Sequence, residues 1–551
     1  MKRWMSLIAL FLLAAVLYFG VALTLPQESF WICDCGNKFL VMQQYLLGVS
    51  EPGMLPYPGR EIDPEGKFFP VREPFATRGE DGFRSAFPPF FSILSSLPYR
   101  IFGFRGLYLI PLLSTLLLAA LVLCFRAGTD AGRPSLLYTA AVLFGTPLLF
   151  YSFVFWEHAP AVLLFGAGVM LVLRTRGWLG FLAAAVLFGL AISLREEAFL
   201  AVAALLAATP FLNGARRSIR GVQGPLALGM VSGAALTIAL NGFESVRVHY
   251  TANLDAEIGI ANWAASRLGV AHTLLLANNL NGTLDLVLSA VLIALVVWRV
   301  LAGRSSRWSL AAYGLLLLFF CGNMLLSTKI DWQLLEGNGL LLTWPILFLT
   351  LSRGGGGPRP FPRPFYLTFL GCFAGLTILV CPEQAASGIH WSARLLLFIV
   401  PVTLLYARRH LTGLLNTVPL KRSLILIVTG CTLFLQVFSV TFIYERRIQN
   451  RRLNQALERM PGVPIASFIP LMGQELAPIY MNRRIFFVPD AKDLPEFRNE
   501  LVAAGVEELA IVEYLEAQSP AEAVAESPFG RFGLYDFQIR RLRIAAPESG
   551  G

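Results

Sequence analysis

Trp31-Ile32-Cys33-Asp34-Cys35-Gly36-Asn37-Lys38 opens a polar stretch that runs to about Pro89. It follows closely on an apolar run from Trp4 to Leu25, itself preceded by Met1-Lys2-Arg3. About 20 apolar residues make a helix long enough to cross a bilayer, and this run suffices. Thr24-Leu25-Pro26-Gln27 is a poor cleavage site, so the run reads as a retained first span and not as a removed secretory signal. A long first outer loop, residues 27–89, that begins with an acid just beyond the first helix suggests an enzyme at the outer membrane–water boundary. A plain channel or anchor has no need of such a loop.

Working outward from this loop, apolar runs recur as far as about residue 443. They begin near residues 5, 106, 135, 159, 178, 198, 223, 283, 309, 338, 365, 392 and 422. The expected architecture is a polytopic α-helical membrane protein with about 13 spans. Of the 551 residues, 56% are hydrophobic and only 15% charged, which fits that class. Alternate loops carry Arg126 and Arg133, Arg174 and Arg176, Arg216, Arg217 and Arg220, Arg304 and Arg307, Arg353, Arg359 and Arg363, then Arg408, Arg409, Lys421 and Arg422. With Lys2 and Arg3 they mark one face as cytoplasmic. Asp130 is the only carboxylate among those turns. The opposite loops hold Asp34, Asp63, Asp81, Glu157, Glu196, Glu197, Glu244, Asp255, Glu257, Asp331, Glu336 and Glu383. An odd number of spans puts the N-terminus inside and the tail outside, with the plasma (inner) membrane as the expected location.

The tail, residues 445–551, changes to the composition of a soluble domain. Strands are expected at Pro464–Ile469, Ile485–Val488, into Gly505–Val512 and within Phe532–Ile544, with helices at Gly473–Tyr480 and Leu494–Ala504. This is a small extracytoplasmic α/β domain beside a membrane domain spanning residues 1–443. No Gly-x-Gly-x-x-Gly follows a strand, so nothing in the tail calls for a nucleotide.

The net charge of +10 does not point to nucleic acid. The basic residues sit in short turns, and no basic groove with interleaved aromatics is visible. Seven cysteines are too few for a disulfide scaffold. Cys124 and Cys431 read as core residues. Cys33 and Cys35 lie too close in sequence for an easy mutual bridge, and either could reach Cys381.

Charges beside hydrocarbon are costly, so acids and bases at helix ends on one face are functional candidates. Asp34 could accept the proton of an attacking hydroxyl; the plainer reading is an interfacial acid paired with Lys38, one helical turn on. Glu157 and His158, in Phe155-Trp156-Glu157-His158-Ala159-Pro160, could orient an acceptor, tune Asp34 or join it around a divalent metal. The plainer reading there is a turn capped by Pro160. Arg195, in Ser193-Leu194-Arg195-Glu196-Glu197, could be neutralised by its neighbouring acids or meet a lipid phosphate. Arg394, in Gly388-Ile389-His390-Trp391-Ser392-Ala393-Arg394-Leu395, is expected a turn inside a span, where a phosphate suits its fork of donors. His390 is expected on the same helical face, and snorkelling is the plainer role for Arg394. Of the five histidines, His158, His249, His272 and His390 fall on the outer face and His410 on the inner; His249 and His272 read as structural.

The pattern resembles the GT-C superfamily of integral membrane glycosyltransferases, which includes the protein O-mannosyltransferases, the aminoarabinose transferases and many bacterial family-39-like proteins. The resemblance covers about residues 1–443. Asp34 is similar to the family's first-loop acid, Phe87-Pro88-Pro89-Phe90 to its Pro-Pro entry into the next helix, and Gly145-Thr146-Pro147 with Trp156-Glu157-His158 to its second outer acidic site. Gly388 to Leu395 resembles a late Gly-Trp-Gly-x-Arg-Tyr signature. Two features depart: Cys35 follows Asp34 where many relatives have a second acid, and Phe87 stands where some have Lys, leaving Arg84 as the nearest cation. The resemblance implies transfer of a sugar from a polyprenyl-phosphate donor to a glycan, lipid or protein acceptor on the outer face, with inversion. It implies Asp34 as general base, cations such as Arg394, Arg84 or Arg195 on the leaving phosphate, and no nucleotide cofactor. Three alternatives stay open: a lipid-linked oligosaccharide polymerase or ligase, a transporter or flippase, and a non-catalytic scaffold.

Overall fold

The computed structural model describes residues 2–48, 51, 53–125, 135–174, 177–212, 219–252, 260–277, 283–301, 307–326, 339–351, 361–382, 386, 390–412, 419–514 and 537–544. Much of the charge asymmetry read from the sequence falls outside them, including Asp130, Asp255, Glu257, Asp331, Glu336 and Glu383. So does Gly388-Ile389.

The protein is mainly helical. Among the described residues, seven helices are long and apolar enough to cross a membrane: Met5–Thr24, Phe90–Cys124, Val222–Asn241, Thr283–Leu301, Arg307–Leu325, Arg363–Val380 and Pro419–Glu458. Four shorter apolar helices accompany them: His158–Arg174, Trp178–Leu194, Glu197–Phe211 and Ile399–Arg408. Helical segments begin close to each of the expected starts, yet several are shorter or more broken than single spans. The run near residue 338 becomes two short helices, Leu340–Thr343 and Ile346–Thr350, separated where Pro345 follows Trp344. Proline disfavours the helical conformation of the residue before it, and Trp344 is indeed non-helical, with φ −129° and ψ 69°.

Two compact units organise the chain. The first contains residues 1–24, 108–240 and 254–441, and so most of the apolar helices. Its helices interlock through glycines. A Cβ added at Gly168 would lie 2.8 Å from the Phe188 ring, and one at Gly229 2.7 Å from the Cβ of Phe188. Small residues let apolar helices approach closely where lipid offers no hydrophobic drive to associate.

The second unit contains residues 25–107, 241–253 and 442–551. The sequence reading drew one boundary near residue 443. In the structure residues 25–107 group with the tail. The physical reason is shared burial: Ile62 and Phe68 from the loop enter one core with Ala466, Phe486, Val488, Phe497, Leu501, Leu509 and Ile511. The loop carries an antiparallel pair, β1 (Ala76–Gly79) and β2 (Gly82–Ser85). The tail sheet contains β3 (Ile465–Ser467), β4 (Ile485–Phe487), β5 (Glu508–Tyr514) and β6 (Phe537–Arg543), in the order β4-β3-β5-β6. β3 is parallel to both β4 and β5, and β6 is antiparallel to β5. The edge at β4 is capped by the loop, since the Phe487 amide donates to the Phe68 carbonyl at 2.9 Å. Asp63 is fully buried and shapes this part of the loop. It accepts from the Lys67 and Phe68 amides at 2.9 and 2.7 Å and from the Tyr57 hydroxyl.

Candidate functional site

In the second unit, Asp34 sits in the first turn of helix Cys33–Leu46. Ile32 is extended and its carbonyl accepts the Cys35 amide at 3.0 Å, which starts the helix. A carboxylate in a first turn is favoured by the helix dipole. From Cys33 to Met42 every residue is buried except Asp34. The helix is pinned by contact with helix Met472–Glu475: a Cβ on Gly36 would come within 1.9 Å of the Gln474 carbonyl oxygen. On its other side, Asn37 Nδ2 donates to the Phe75 carbonyl at 2.9 Å and its Oδ1 accepts from Ser85 Oγ at 2.7 Å.

The charges around this acid are specific. Glu475 is buried and pairs with Arg446 at 2.7 Å, while Asn450 Nδ2 donates to its carboxylate at 2.8 Å. Burial raises the Glu475 carboxyl above its ordinary value, and Arg446 and Asn450 pull it back. The Cys33 thiol is pushed well up by burial, then by the charges of Asp34 and Glu475. It is therefore held as the thiol and not as a nucleophilic thiolate. All seven cysteines are free, and Cys124 is exposed and not a core residue.

Lys38 is buried, and its Nζ lies 4.6 Å from the centre of the Phe87 ring. Cation and ring quadrupole attract in this arrangement. Arg84, on β2, instead pairs with Glu51 at 2.6 Å. Its charge is already matched at the surface, so its expected phosphate role gains no support from the geometry. His249 reaches the Ala86 carbonyl at 2.8 Å, a structural contact.

In the first unit, the Glu157 carbonyl accepts the Ala161 amide at 3.0 Å and so begins helix His158–Arg174, with Pro160 tolerated in the first turn. Arg195 ends helix Trp178–Leu194, and Glu197 begins helix Glu197–Ala208. These three junctions bring three charges together. Arg195 Nη1 donates to Glu157 at 2.9 Å, Nε donates to Glu197 at 2.9 Å, and Nη2 closes a second bond to Glu197. Of the two roles left open for Arg195, the geometry forms the pairing with neighbouring acids. Arg195 forms a largely buried ion-pair core with two carboxylates, and its fork is directed at them. The His158 ring is buried 5.1 Å from both the Tyr151 and the Trp156 rings.

Arg394 differs. Every residue from His390 to Ala407 is buried except Arg394. Its Cζ lies 5.7 Å from the Trp156 ring. The expected helical face shared with His390 is not formed. Ser392 has φ 62°, Arg394 opens a short 3₁₀ turn to Leu396, and the helix proper starts at Ile399. The segment is held by side chains instead. The Tyr151 hydroxyl donates to the Trp391 carbonyl at 2.8 Å, Trp391 Nε1 to Gln436 at 3.0 Å, and Thr343 Oγ1 to Ser392 Oγ at 2.7 Å. His390 Nδ1 faces the Ser392 carbonyl at 2.7 Å and Nε2 the Ala386 carbonyl at 3.2 Å. Carbonyls only accept, so both contacts are hydrogen bonds when the ring carries both protons. His272 meets Asp285 at 2.9 Å and Ser289 at 3.1 Å, consistent with a structural role.

Among the described residues no group of three or more His, Cys, Asp or Glu side chains is gathered as a metal site. Sequence reasoning missed Glu475 and Arg446 beside the Asp34 helix and Trp156 beneath Arg394. Nothing local could have signalled them, because they come from remote segments.

No protein-family model matches the chain, and no curated protein matches it. Solved structures do show likenesses. The chain is similar to ArnT from Cupriavidus metallidurans in the apo state, with 12% identity, TM-score 0.41 and coverage of 99% of this chain and 100% of that one. It is similar to the same protein bound to undecaprenyl phosphate, with 13% identity, TM-score 0.43 and coverage of 98% and 99%. It is also similar to the Archaeoglobus fulgidus oligosaccharyltransferase in the apo form, with 13% identity, TM-score 0.42 and coverage of 93% of this chain and 70% of that one. At this level the likenesses carry no argument about activity.

Proposed function

We propose that the protein is a membrane glycosyltransferase. It moves a sugar from a polyprenyl-phosphate donor to an acceptor at the outer face of the membrane. The observation that carries the reading is the pairing of burial with chemistry at two residues. Asp34 is the one opening in the buried stretch from Cys33 to Met42, and Arg394 the one opening from His390 to Ala407. Each is a charged side chain on a fixed, packed backbone, and the two have opposite tasks in such a reaction.

Asp34 takes the proton from an acceptor hydroxyl or amine as that atom bonds to the anomeric carbon. The bond from that carbon to the phosphate oxygen breaks, polyprenyl phosphate leaves, and the anomeric configuration inverts. Arg394 stabilises the negative charge that grows on the departing phosphate. Its planar fork suits phosphate oxygens, and Trp156 holds one face of it. Lys38, buried one helical turn after Asp34, is a cation on the same helix. Glu157 and Arg195 form the ion-pair core that sets the Trp156-Glu157-His158 turn, which makes them positioning residues. No nucleotide is needed, because the lipid-linked sugar arrives already activated.

The test is thermal stabilisation of the detergent-purified protein by undecaprenyl phosphate. A ligand that binds the folded state raises apparent stability by mass action. Wild type is expected to gain stability, and Arg394→Ala to gain clearly less. Asp34→Asn should keep the lipid response but lose about 10²- to 10⁴-fold in transfer rate, the usual contribution of a general base. Lipid at saturation with no stabilisation of wild type would overturn the donor assignment. Full transfer by a folded Asp34→Asn would overturn the base.

A further inference from the structure

The turn that follows helix Pro419–Glu458 gathers three arginines from separate places. Arg483 Nη2 donates to the Val463 carbonyl at 3.0 Å, Arg484 Nη2 to the Gly462 carbonyl at 2.8 Å, and Arg541 Nε approaches Met460 Sδ at 3.4 Å. Each guanidinium thus contacts one of the residues Met460 to Val463. The backbone dictates this. Gly462 adopts φ +78°, which turns the chain back into β3. Arg483 and Arg484 immediately precede β4, which is paired to β3. Arg541 comes from β6 at the opposite edge of the sheet.

Arg484 acts on Arg483 as a like charge, and an anion between them would relieve that repulsion. Among the described residues none of the three closes an ion pair with a carboxylate. Glu458 is the acid whose charge Arg483 feels, and it is exposed. Arg483 is itself only 8% exposed, and its Nε is buried without a hydrogen-bond partner among the described residues. A buried charged donor left without a partner is costly. Each guanidinium has five N–H donors, and here each directs one of them at the turn. The remaining donors are of the type that grips tetrahedral oxyanions with paired bonds.

We infer that Arg483, Arg484 and Arg541, around the Met460–Val463 turn, form a binding site for a phosphate group. This goes beyond the transfer reading and does not depend on it, because binding here can be read without turnover. The phosphate can belong to a membrane lipid headgroup or to a phosphorylated saccharide; the chemistry of recognition is the same.

The experiment titrates the full-length protein, in neutral detergent, with inorganic phosphate at an ionic strength held constant with chloride, and follows melting temperature. A saturable rise is expected in wild type. In the double variant R484Q/R541Q, both side chains lying towards the surface, the apparent Kd should rise about tenfold or more, given that bonds to charged groups are each worth that much. Arg394→Ala removes the other cation assigned to a phosphate, and the saturable rise should persist in it while R484Q/R541Q loses it. Short-chain phosphatidylglycerol binding more tightly than inorganic phosphate would identify a lipid headgroup as the source. A phosphorylated disaccharide doing so would identify a saccharide. A wild-type response no larger than that to chloride overturns the inference, and so does an undiminished response in R484Q/R541Q. A response lost in Arg394→Ala but kept in R484Q/R541Q overturns it too.

Discussion

Arg195 shows how one residue can be decisive without touching substrate. It holds Glu157 and Glu197 at a junction of three helices, and both carboxylates are buried. Removing one member of a buried ion-pair set leaves a charge without compensation and costs about 3–5 kcal/mol. Arg195→Met should therefore lower the melting temperature markedly. Equal melting temperatures for Arg195→Met and wild type would show that the cluster is not structural. The residues Asp34, Glu157, His158, Arg195 and Arg394 were all legible as candidates, because a charge at an apolar helix end stands out in any sequence. Their partners were not. Trp156 lies in the same loop as Glu157, yet only folding sets it 5.7 Å from Arg394, which is far along the chain.

Two helices carry predictions of their own. In helix Cys33–Leu46, a methyl at Gly36 would collide with the backbone of Gln474, which cannot yield as a side-chain tip could. Gly36→Ala should cost about 1–3 kcal/mol through overpacking and reduce transfer by shifting Asp34. Gly20→Ala is the matched control, since nothing lies within 4 Å of the added Cβ; differential scanning fluorimetry of both variants reads the contrast. In helix Leu494–Ala503, Glu500 has its pKa raised to about 7, first by burial and then by the nearby charges of Asp63 and Glu496. The folded state thus binds this proton more tightly than the unfolded chain, whose carboxyl titrates near 4.5. Stability is greatest at low pH by this contribution, falls as pH rises between those two values, and levels off above the upper one. Glu500→Gln should flatten that part of the stability–pH curve, as melting temperatures across the range would show; an unchanged slope would exclude Glu500 as its source.

At the scale of the whole molecule, the loop 27–89 and the tail are one folded body, although hundreds of residues separate them. Phe68 is fully buried in the tail's core. Phe68→Ala should cost about 3–5 kcal/mol and make loop and tail sensitive to protease together. Cleavage confined to the loop would show that the two fold separately. The order of strands and helices in the tail follows from its alternation, because period-two and helical patterns are local properties. The apolar runs were equally plain. Composition and hydropathy along the sequence alone determined a many-helix membrane protein with a small α/β tail, since burial in lipid or in a sheet constrains residue type position by position. Only the tertiary structure decided that the first loop belongs with the tail, that Glu475 and Arg446 stand by the Asp34 helix, that Arg195 is committed to its acids, and that three arginines meet at one turn. Those outcomes depend on contacts between distant segments, and no local pattern encodes which distant partner a buried charge or ring will meet.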